Sequence, residues 1–329
     1  MGLVHPSFEE EVGNVKVGAV VVTWRETAMT ERALRSLLDA RPGFTNIVCV
    51  AQELSNQQLT QLRTAIGPRV DIEQVEMNLG YCAAANLGID RLVGAGCDWV
   101  MTLNNDATIE PDCLGRCLAV SSRENRVAIV GPAIAFANGG DRLWYGGGRF
   151  YSAIGLTRHR GLGASMRRTP PTALTDYVPG CCCLISAVAW QQVGRYREDY
   201  FMYYEDVEWC DRARHAGWRC MYLGEVLCRH EGSATAGSKG QLSLTPTSAY
   251  YLGRNSMRFA IETPNRMLRA SRIAGVATVT TAHNARRLRG APPGSGRAYA
   301  DGIRDAFAGL MGPRSATTDR RNAGPRSRA

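Results

Sequence analysis

Over residues 15–136 the hydrophobic pattern switches between short continuous apolar runs and apolar positions spaced three and four apart. The run "VKVGAVVVT", Val15 to Thr23, predicts a buried strand from its density of valine. Thr27 is placed to cap a helix whose Ala33, Leu34, Leu37 and Leu38 recur at helical spacing. "NIVCV" predicts a second strand. Ser55 and Gln58 have the spacing of a capping box and open a helix with Leu59, Leu62 and Ile66 on one face, ahead of the alternating strand "RVDIEQV". Residues 83–93 then predict a helix, "DWVMTL" a strand, 111–120 a helix and "RVAIVGPAI" a strand. Strands alternating with helices in this way predict an α/β fold, a mostly parallel sheet with helices on both faces. Ligands of such sheets sit beyond the carboxyl ends of strands, which singles out the polar stretches 23–26, 51–55, 76–80 and 104–106. Residues 139–175, rich in Gly, Arg and Pro with little periodicity, read as a long loop or irregular hairpin over that end.

Composition narrows the class. At 329 residues and 45% apolar content the chain can bury a large core, as one domain or one domain with an appendage. The longest uncharged run, Tyr177 to Gly194, is broken by Pro179, Gly180, Gln191 and Gln192, so it reads as buried strand and helix rather than a membrane span. The start "MGLVHPSFEEEV" is acidic and lacks an apolar core, which predicts a protein that stays in the cytoplasm. The 11 cysteines include three in succession (Cys181, Cys182, Cys183) and no Cys-x-x-Cys, so they read as small buried side chains rather than a zinc site or disulfide framework. From Arg254 onward 15 arginines face four acids (Glu262, Asp301, Asp305, Asp319), a net +11 that leaves −2 for residues 1–253. A basic end on a near-neutral body suits an anionic surface.

Three stretches carry chemistry. "LNNDATIEPD" presents Asn104, Asn105 and Asp106 at a strand end, and Asp106 is the candidate ligand for Mg²⁺ or Mn²⁺, which take one or two carboxylates plus phosphate oxygens. A plain turn in which Asn and Asp satisfy local backbone is the alternative. "MNLGYCAAANLGI" places Asn78, Gly80 and Asn86 around a small-residue helix start that allows close approach of a ligand, or of the sheet. "YFMYYEDVEW" sets Glu205 and Asp206 among aromatics, where an ionised carboxylate is poorly solvated. No Gly-x-x-x-x-Gly-Lys occurs, and the glycines of "WYGGGRF" follow no predicted strand, so triphosphatase and dinucleotide readings lose support.

In order along the chain, "VVVTWRE", "EMNLGYCAAANLGI", "LNNDATIEPD", "VPGCCCLIS", "QQVGRYREDYFMYYEDVEWCDRARHAGWRC", "CRHEGSAT" and "AYYLGRNSMRF" resemble the blocks of family 2 glycosyltransferases of the GT-A fold, notably the bacterial rhamnosyltransferase-like branch. The resemblance spans about residues 17–259. It implies an inverting, metal-dependent transfer of a sugar from a nucleotide diphosphate to an acceptor hydroxyl. Residue by residue, Asp106 resembles the metal-binding last acid of the family's Asp-x-Asp, with Asn104 in the first acid's place, and His230 resembles the late metal or diphosphate contact. Asp206 resembles the catalytic base, with Glu205 beside it and Arg212 as a supporting group. Thr23, Arg25, Glu26, Asn78, Gly80, Asn86, Asn104, Asn105 and Gly180 fall in blocks that border the nucleotide-sugar. Where the family has Asp-Asn-x-Ser against the base, this chain has "AQELS", and Ala51 is read as replacing that acid.

Burial would raise the Asp206 pKa toward useful basicity while Arg212 limits the rise, and the aromatics would exclude water. The alternative is a helix-capping salt network of Glu205 and Asp206 with Arg212 and Arg214. For His230 the alternative is a structurally satisfied histidine. Beyond residue 260, Arg266, Arg269 and Arg272 alternate with Met267, Leu268, Ile273 and Val276, and Tyr299, Ile303, Phe307 and Leu310 repeat the pattern. These helices suit an anionic membrane surface or packing on the main domain. The expected organisation is a tail (1–15), a GT-A domain (16–260), an amphipathic helical extension (261–312) and a basic, disordered end (313–329).

The function expected is transfer of rhamnose from dTDP-rhamnose, in polysaccharide or glycolipid assembly at the inner face of the membrane. The carbohydrate acceptor would be carried on a polyprenyl diphosphate. Alternatives are a UDP-sugar transferase of galactofuranosyl type, an inert relative serving as scaffold, and a sugar-phosphate nucleotidyltransferase, whose Gly-rich loop is missing. Nucleic acid is not an expected partner, because the basic end lacks interleaved aromatics.

Overall fold

The computed structural model describes residues 15–137, 140–231, 244–288 and 291–314. The tails expected at 1–15 and 313–329 therefore lie almost wholly outside the described residues. In chain order the first half runs β1 (Val17–Trp24), α1 (Ala28–Leu38), β2 (Asn46–Gln52), α2 (Asn56–Ile66), β3 (Val70–Val75), α3 (Gly80–Gly94), β4 (Trp99–Asn104), β5 (Ala107–Ile109), α4 (Cys113–Ser121) and β6 (Val127–Phe136). There follow β7 (Leu143–Tyr145), β8 (Gly148–Tyr151), β9 (Leu156–His159), β10 (Ala173–Thr175), β11 (Cys182–Ser186), α5 (Ala187–Val193), α6 (Glu205–His215) and β12 (Arg219–His230). The C-terminal helices are α7 (Pro246–Ile261), α8 (Arg266–Gly275), α9 (Thr281–Leu288) and α10 (Ser295–Phe307).

The main sheet has the order β10-β12-β6-β11-β4-β1-β2-β3, with β5 on β12 and β7 on β6. Strands β3, β2, β1 and β4 are parallel, as the alternation predicts, and β12 runs parallel to β6. β11 enters reversed between β4 and β6. Valine-rich β1 is buried on both faces: Val17, Ala19 and Val21 join the core cluster of Leu34, Leu37 and Leu62. On the opposite face α3 lies so close that a Cβ on Gly88 would stand 2.6 Å from Val20, and the small residues of "CAAANLG" permit that approach. The Ser55–Gln58 capping box forms as expected, whereas Thr27 makes no side-chain cap; Glu26 Oε1 accepts from Met29 N–H instead.

The chain divides into two compact units, the first from Met1–Phe150, Thr157–Tyr196 and Glu205–Gln241, the second from Tyr151–Leu156, Arg197–Tyr204 and Leu242–Ala329. In the second, α7 and α10 cross backbone against backbone: a Cβ on Gly302 would meet Tyr250 O at 2.1 Å and one on Gly253 would meet Tyr299 O at 2.5 Å. Arg254 and Asn255, fully buried on α7, bind the backbone carbonyls of residues 199–203. Of the arginines expected to face a membrane, Arg266 is exposed, but Arg269 donates to Thr263 O and Pro264 O, and Arg272 is buried against Ser152 O and Thr263. Tyr299 is likewise buried, while Phe307 and Leu310 are exposed. Among the described residues no helix is long and apolar enough to cross a membrane.

Candidate active site

The carboxyl ends of β1, β2, β3 and β4 carry the polar residues singled out in the sequence. Thr23 is buried, accepts from Thr30 Oγ1 at 2.8 Å and receives the Asn105 amide at 3.3 Å, so these residues tie the ends of β1 and β4 together. Asn78 Oδ1 accepts from Gly80 N–H at 2.9 Å and shapes the turn into α3, where Gly80 has a left-handed φ of 82°. Asn86 is buried inside α3, with both ends of its amide on the Tyr196 backbone at 2.9 and 3.1 Å. It thus supports the fold rather than lining an open cleft. Asn104 is half-buried, and its N–H donates to Cys181 O at 2.8 Å.

Ala51 lies one residue before the end of β2, level with Thr23 of β1. It is buried in the core, and the polar groups leaving β2 are Gln52 and Glu53. Glu53 accepts from the Trp24 indole at 2.9 Å, pairs with Arg25 at 2.6 Å and receives Asn78 N–H at 3.2 Å. Those contacts, the Trp24 bond foremost, hold its carboxyl below the usual range. Arg25 and Glu53 both have left-handed backbones (φ 54° and 52°), a strain that recurs at equivalent strand ends. The signal for Glu53 was its position two residues ahead of Ser55, within the four residues "QELS" that match the spacing of Asp-Asn-x-Ser.

Asp106 and His230 meet. β5 pairs with β12 so that Ala107 faces His230, and His230 Nε2 lies 3.1 Å from Asp106 Oδ1 with both side chains buried. Neither ring nitrogen of His230 has a well-aligned hydrogen-bond partner among the described residues. The Trp144 ring meets that imidazole edge-on at 4.7 Å. An adjacent carboxylate and imidazole fit a divalent cation that takes its other ligands from a diphosphate. Among the described residues no three His, Cys, Asp or Glu side chains group as a metal cage.

The acidic pair heads α6. Glu205 is buried, with the Cys82 thiol 4.0 Å from its carboxylate, whereas Asp206 is half-buried. Asp206 accepts from Gly180 N–H at 3.2 Å and Val207 N–H at 2.7 Å. Gly180 is itself fixed, since its carbonyl accepts from Tyr81 and Thr102 hydroxyls, each at 2.9 Å. Burial pushes both carboxyls above the usual range, Glu205 further because the Asp206 charge adds to it, while the two N–H bonds pull Asp206 back. Arg212 and Arg214 do not join the pair. Arg212 binds Glu208 at 2.7 Å and the carbonyls of Val193 and Arg195, and Arg214 binds Asp176 and Asp211. The alternative salt network therefore does not form, because Arg212 takes its i,i+4 partner within α6 and Arg214 is held by Asp176 and Asp211. Cys181 joins the two halves of the site: burial pushes its thiol well up, and Asp106 and Asp206 both add to the rise.

A profile of the family described as "Glycosyltransferase like family 2" matches residues 15–246. The chain is similar to an N-acetylglucosaminyl-diphospho-decaprenol L-rhamnosyltransferase of Mycobacterium tuberculosis, 29% identical over 238 residues, 66% of this chain and 76% of that protein. It is also similar to the low-salt glycan biosynthesis hexosyltransferase Agl10 of Haloferax volcanii, 29% identical over 190 residues, 56% of this chain and 58% of that one. Residues 1–349 of S. aureus TarS in complex with UDP match the structure with TM-score 0.51 at 14% identity, over 82% of this chain and 72% of that chain. A longer TarS chain matches with TM-score 0.50, and this protein spans 44% of it. Such low identity shows the fold alone. With the family profile covering most of its length on a GT-A-like fold, the chain belongs to glycosyltransferase family 2 and is a glycosyltransferase.

Proposed function

We propose that the protein moves rhamnose from dTDP-rhamnose, with inversion, to a hydroxyl of a saccharide carried on a polyprenyl diphosphate. The observation that carries the chemistry is the half-buried Asp206 carboxylate, held by Gly180 and Val207 N–H at the head of α6. In this reading Asp206 takes the acceptor hydroxyl proton as that oxygen bonds to the anomeric carbon. The bond from carbon to diphosphate oxygen breaks on the opposite face, and its electron pair leaves with the nucleoside diphosphate. Asp106 and His230 would hold Mg²⁺ or Mn²⁺, which when bound offsets the charge growing on the diphosphate. In this reading Glu53, which follows the buried Gln52 at the end of β2, would face the base of the nucleotide. Rhamnose and the lipid-linked acceptor are supported by the mycobacterial relative, whose name specifies both kinds of group.

Two measurements test the reading. Calorimetric titration with UDP, dTDP and GDP, with and without Mg²⁺ or Mn²⁺, should show metal-dependent binding of dTDP. Asp206→Asn should abolish transfer and leave donor affinity unchanged. A folded protein that binds none of the three nucleotides would refute the donor, and an active Asp206→Asn would refute the base.

A further inference from the structure

Between Arg142 and Thr175 the chain has six arginines and no aspartate or glutamate. Two of the six are engaged locally. Arg160 lies over the Tyr222 ring at 5.7 Å and against Gly147, and Arg142 donates to Gly163 O at 3.0 Å. The other four, Arg149, Arg158, Arg167 and Arg168, are exposed. β8 and β9 form a two-stranded sheet, each four residues long and joined by residues 152–155, so Arg149 and Arg158 stand on neighbouring strands. Like charges on neighbouring strands are unfavourable when brought close. The acid nearest to Arg149, Asp176 at 3.7 Å, is already bound by Arg214 at 3.0 Å and by Phe150 N–H at 2.9 Å.

Past β9 the chain turns through Gly161 and Gly163, with left-handed φ of 67° and 77°, and presents Leu162 between them, 40% exposed. A segment that exposes both arginines and a leucine suits a headgroup layer, where arginines meet phosphates and a leucine meets the acyl boundary. The other arm of this segment carries Trp144, whose ring rests on His230. The segment that carries the arginines therefore reaches the Asp106–His230 end of the sheet through Trp144.

We propose that Arg149, Arg158, Arg167 and Arg168, with Leu162, form a docking surface for an anionic phospholipid bilayer. It gives the lipid-linked acceptor reading a physical means of delivery and rests on that reading for its purpose alone. The surface differs from the C-terminal helices, where Arg269 and Arg272 turn inward.

The test is co-sedimentation of the full chain with vesicles of phosphatidylcholine containing a third phosphatidylglycerol, against vesicles of phosphatidylcholine alone. The wild type should bind the anionic vesicles, less so as salt rises, and should not bind the neutral ones. The triple variant Arg158→Ser/Arg167→Ser/Arg168→Ser should partition roughly a hundredfold less, with an unchanged melting curve because the three side chains are exposed. Leu162→Ser should weaken binding severalfold at any salt concentration. A triple variant that binds like the wild type, or a wild type that ignores anionic vesicles, overturns the proposal. Complete competition by millimolar inorganic diphosphate would instead assign the arginines to a small anion, and tighter binding of a single-stranded oligonucleotide would assign them to nucleic acid; either also overturns it. None of these readouts needs turnover. Failure of the lipid-linked acceptor reading would appear separately, as transfer to a water-soluble saccharide with none to one carried on a polyprenyl diphosphate.

Discussion

Asn255 should matter more than a surface view of α7 suggests. Its side-chain nitrogen lies 3.1, 2.8 and 2.7 Å from the carbonyls of Tyr200, Met202 and Tyr203, and the residue is wholly buried. The segment it grips is strained, since Phe201, Tyr203 and Tyr204 have φ of 66°, 66° and 74° without being glycine. Each left-handed residue of this kind costs about 1–2 kcal/mol, so roughly 3–6 kcal/mol must be offset by the surroundings. Asn255→Ala leaves the Met202 and Tyr203 carbonyls without that donor, while Tyr200 O keeps Arg254 at 2.8 Å. At about 1–2 kcal/mol for each carbonyl the loss is roughly 2–4 kcal/mol, comparable with the strain. The segment should then relax, and because Glu205 and Asp206 follow directly in the chain, transfer should fall at least tenfold in protein that is still folded. Chemical denaturation gives the stability and initial rates give the transfer. A second pair of variants fixes the sign: Tyr203→Gly and Tyr203→Ala lose the same ring packed beside Phe201, but at φ 66° the glycine variant should be the more stable by about 1 kcal/mol, the reverse of their order in unstrained backbone. Unchanged stability and rate in Asn255→Ala, or a Tyr203→Gly less stable than Tyr203→Ala, would refute the strain argument.

Three further outcomes are expected. Burial raises the Glu205 carboxyl above its unfolded value, so its ionisation in the folded state costs stability that grows as pH climbs from the unfolded pKa, near 4.3, toward the raised one. Glu205→Gln should therefore match the wild type in stability at pH 4 and exceed it at pH 8, which thermal melts across pH can check. Tyr81→Phe removes one of two hydroxyls from Gly180 O and loosens the N–H that favours ionised Asp206; the acid limb of the kcat/KM profile should move to higher pH, and an unmoved limb would remove Tyr81 from the argument. Gly302→Ala drives a methyl into Tyr250 O, with no flexible side chain to yield, and should destabilise by about 1–3 kcal/mol in a denaturant titration.

What could be read from the chain alone follows the range of each interaction. The capping box at Ser55 and Gln58, the helix face of Ala33, Leu34 and Leu37 and the valine strand β1 depend on neighbours a few residues apart, and spacing exposes them. The reversal of β11 depends on partners some 80 and 55 residues away, and a run such as "CCCLIS" is equally buried in either direction. The resemblance implies Arg212 as a supporting group of the acidic pair. Glu208, one helical turn before it, is the better partner, and only the direction of the α6 side chains decides between them. For Ala51 the cause is register: "QELS" has the four-residue spacing of Asp-Asn-x-Ser, so Gln52 rather than the core residue Ala51 falls in the first acid's place.

The acidic pair ties these cases together. Aromatic side chains around Glu205 and Asp206 marked a dehydrated site, but nothing in "YFMYYED" records that three of its residues take left-handed backbone. That conformation is disfavoured locally for Phe and Tyr, so it can persist only where distant groups hold it, here Arg254 and Asn255 some 50 residues on. The same holds for Asp206, whose carboxylate is oriented by Gly180 and, through that glycine, by Tyr81 and Thr102. A sequence block can therefore name the acid. The groups that aim it, and with them the basicity on which an inverting transfer depends, come from three separate stretches of chain, at Tyr81, Thr102 and Gly180, that only the fold brings within hydrogen-bonding distance.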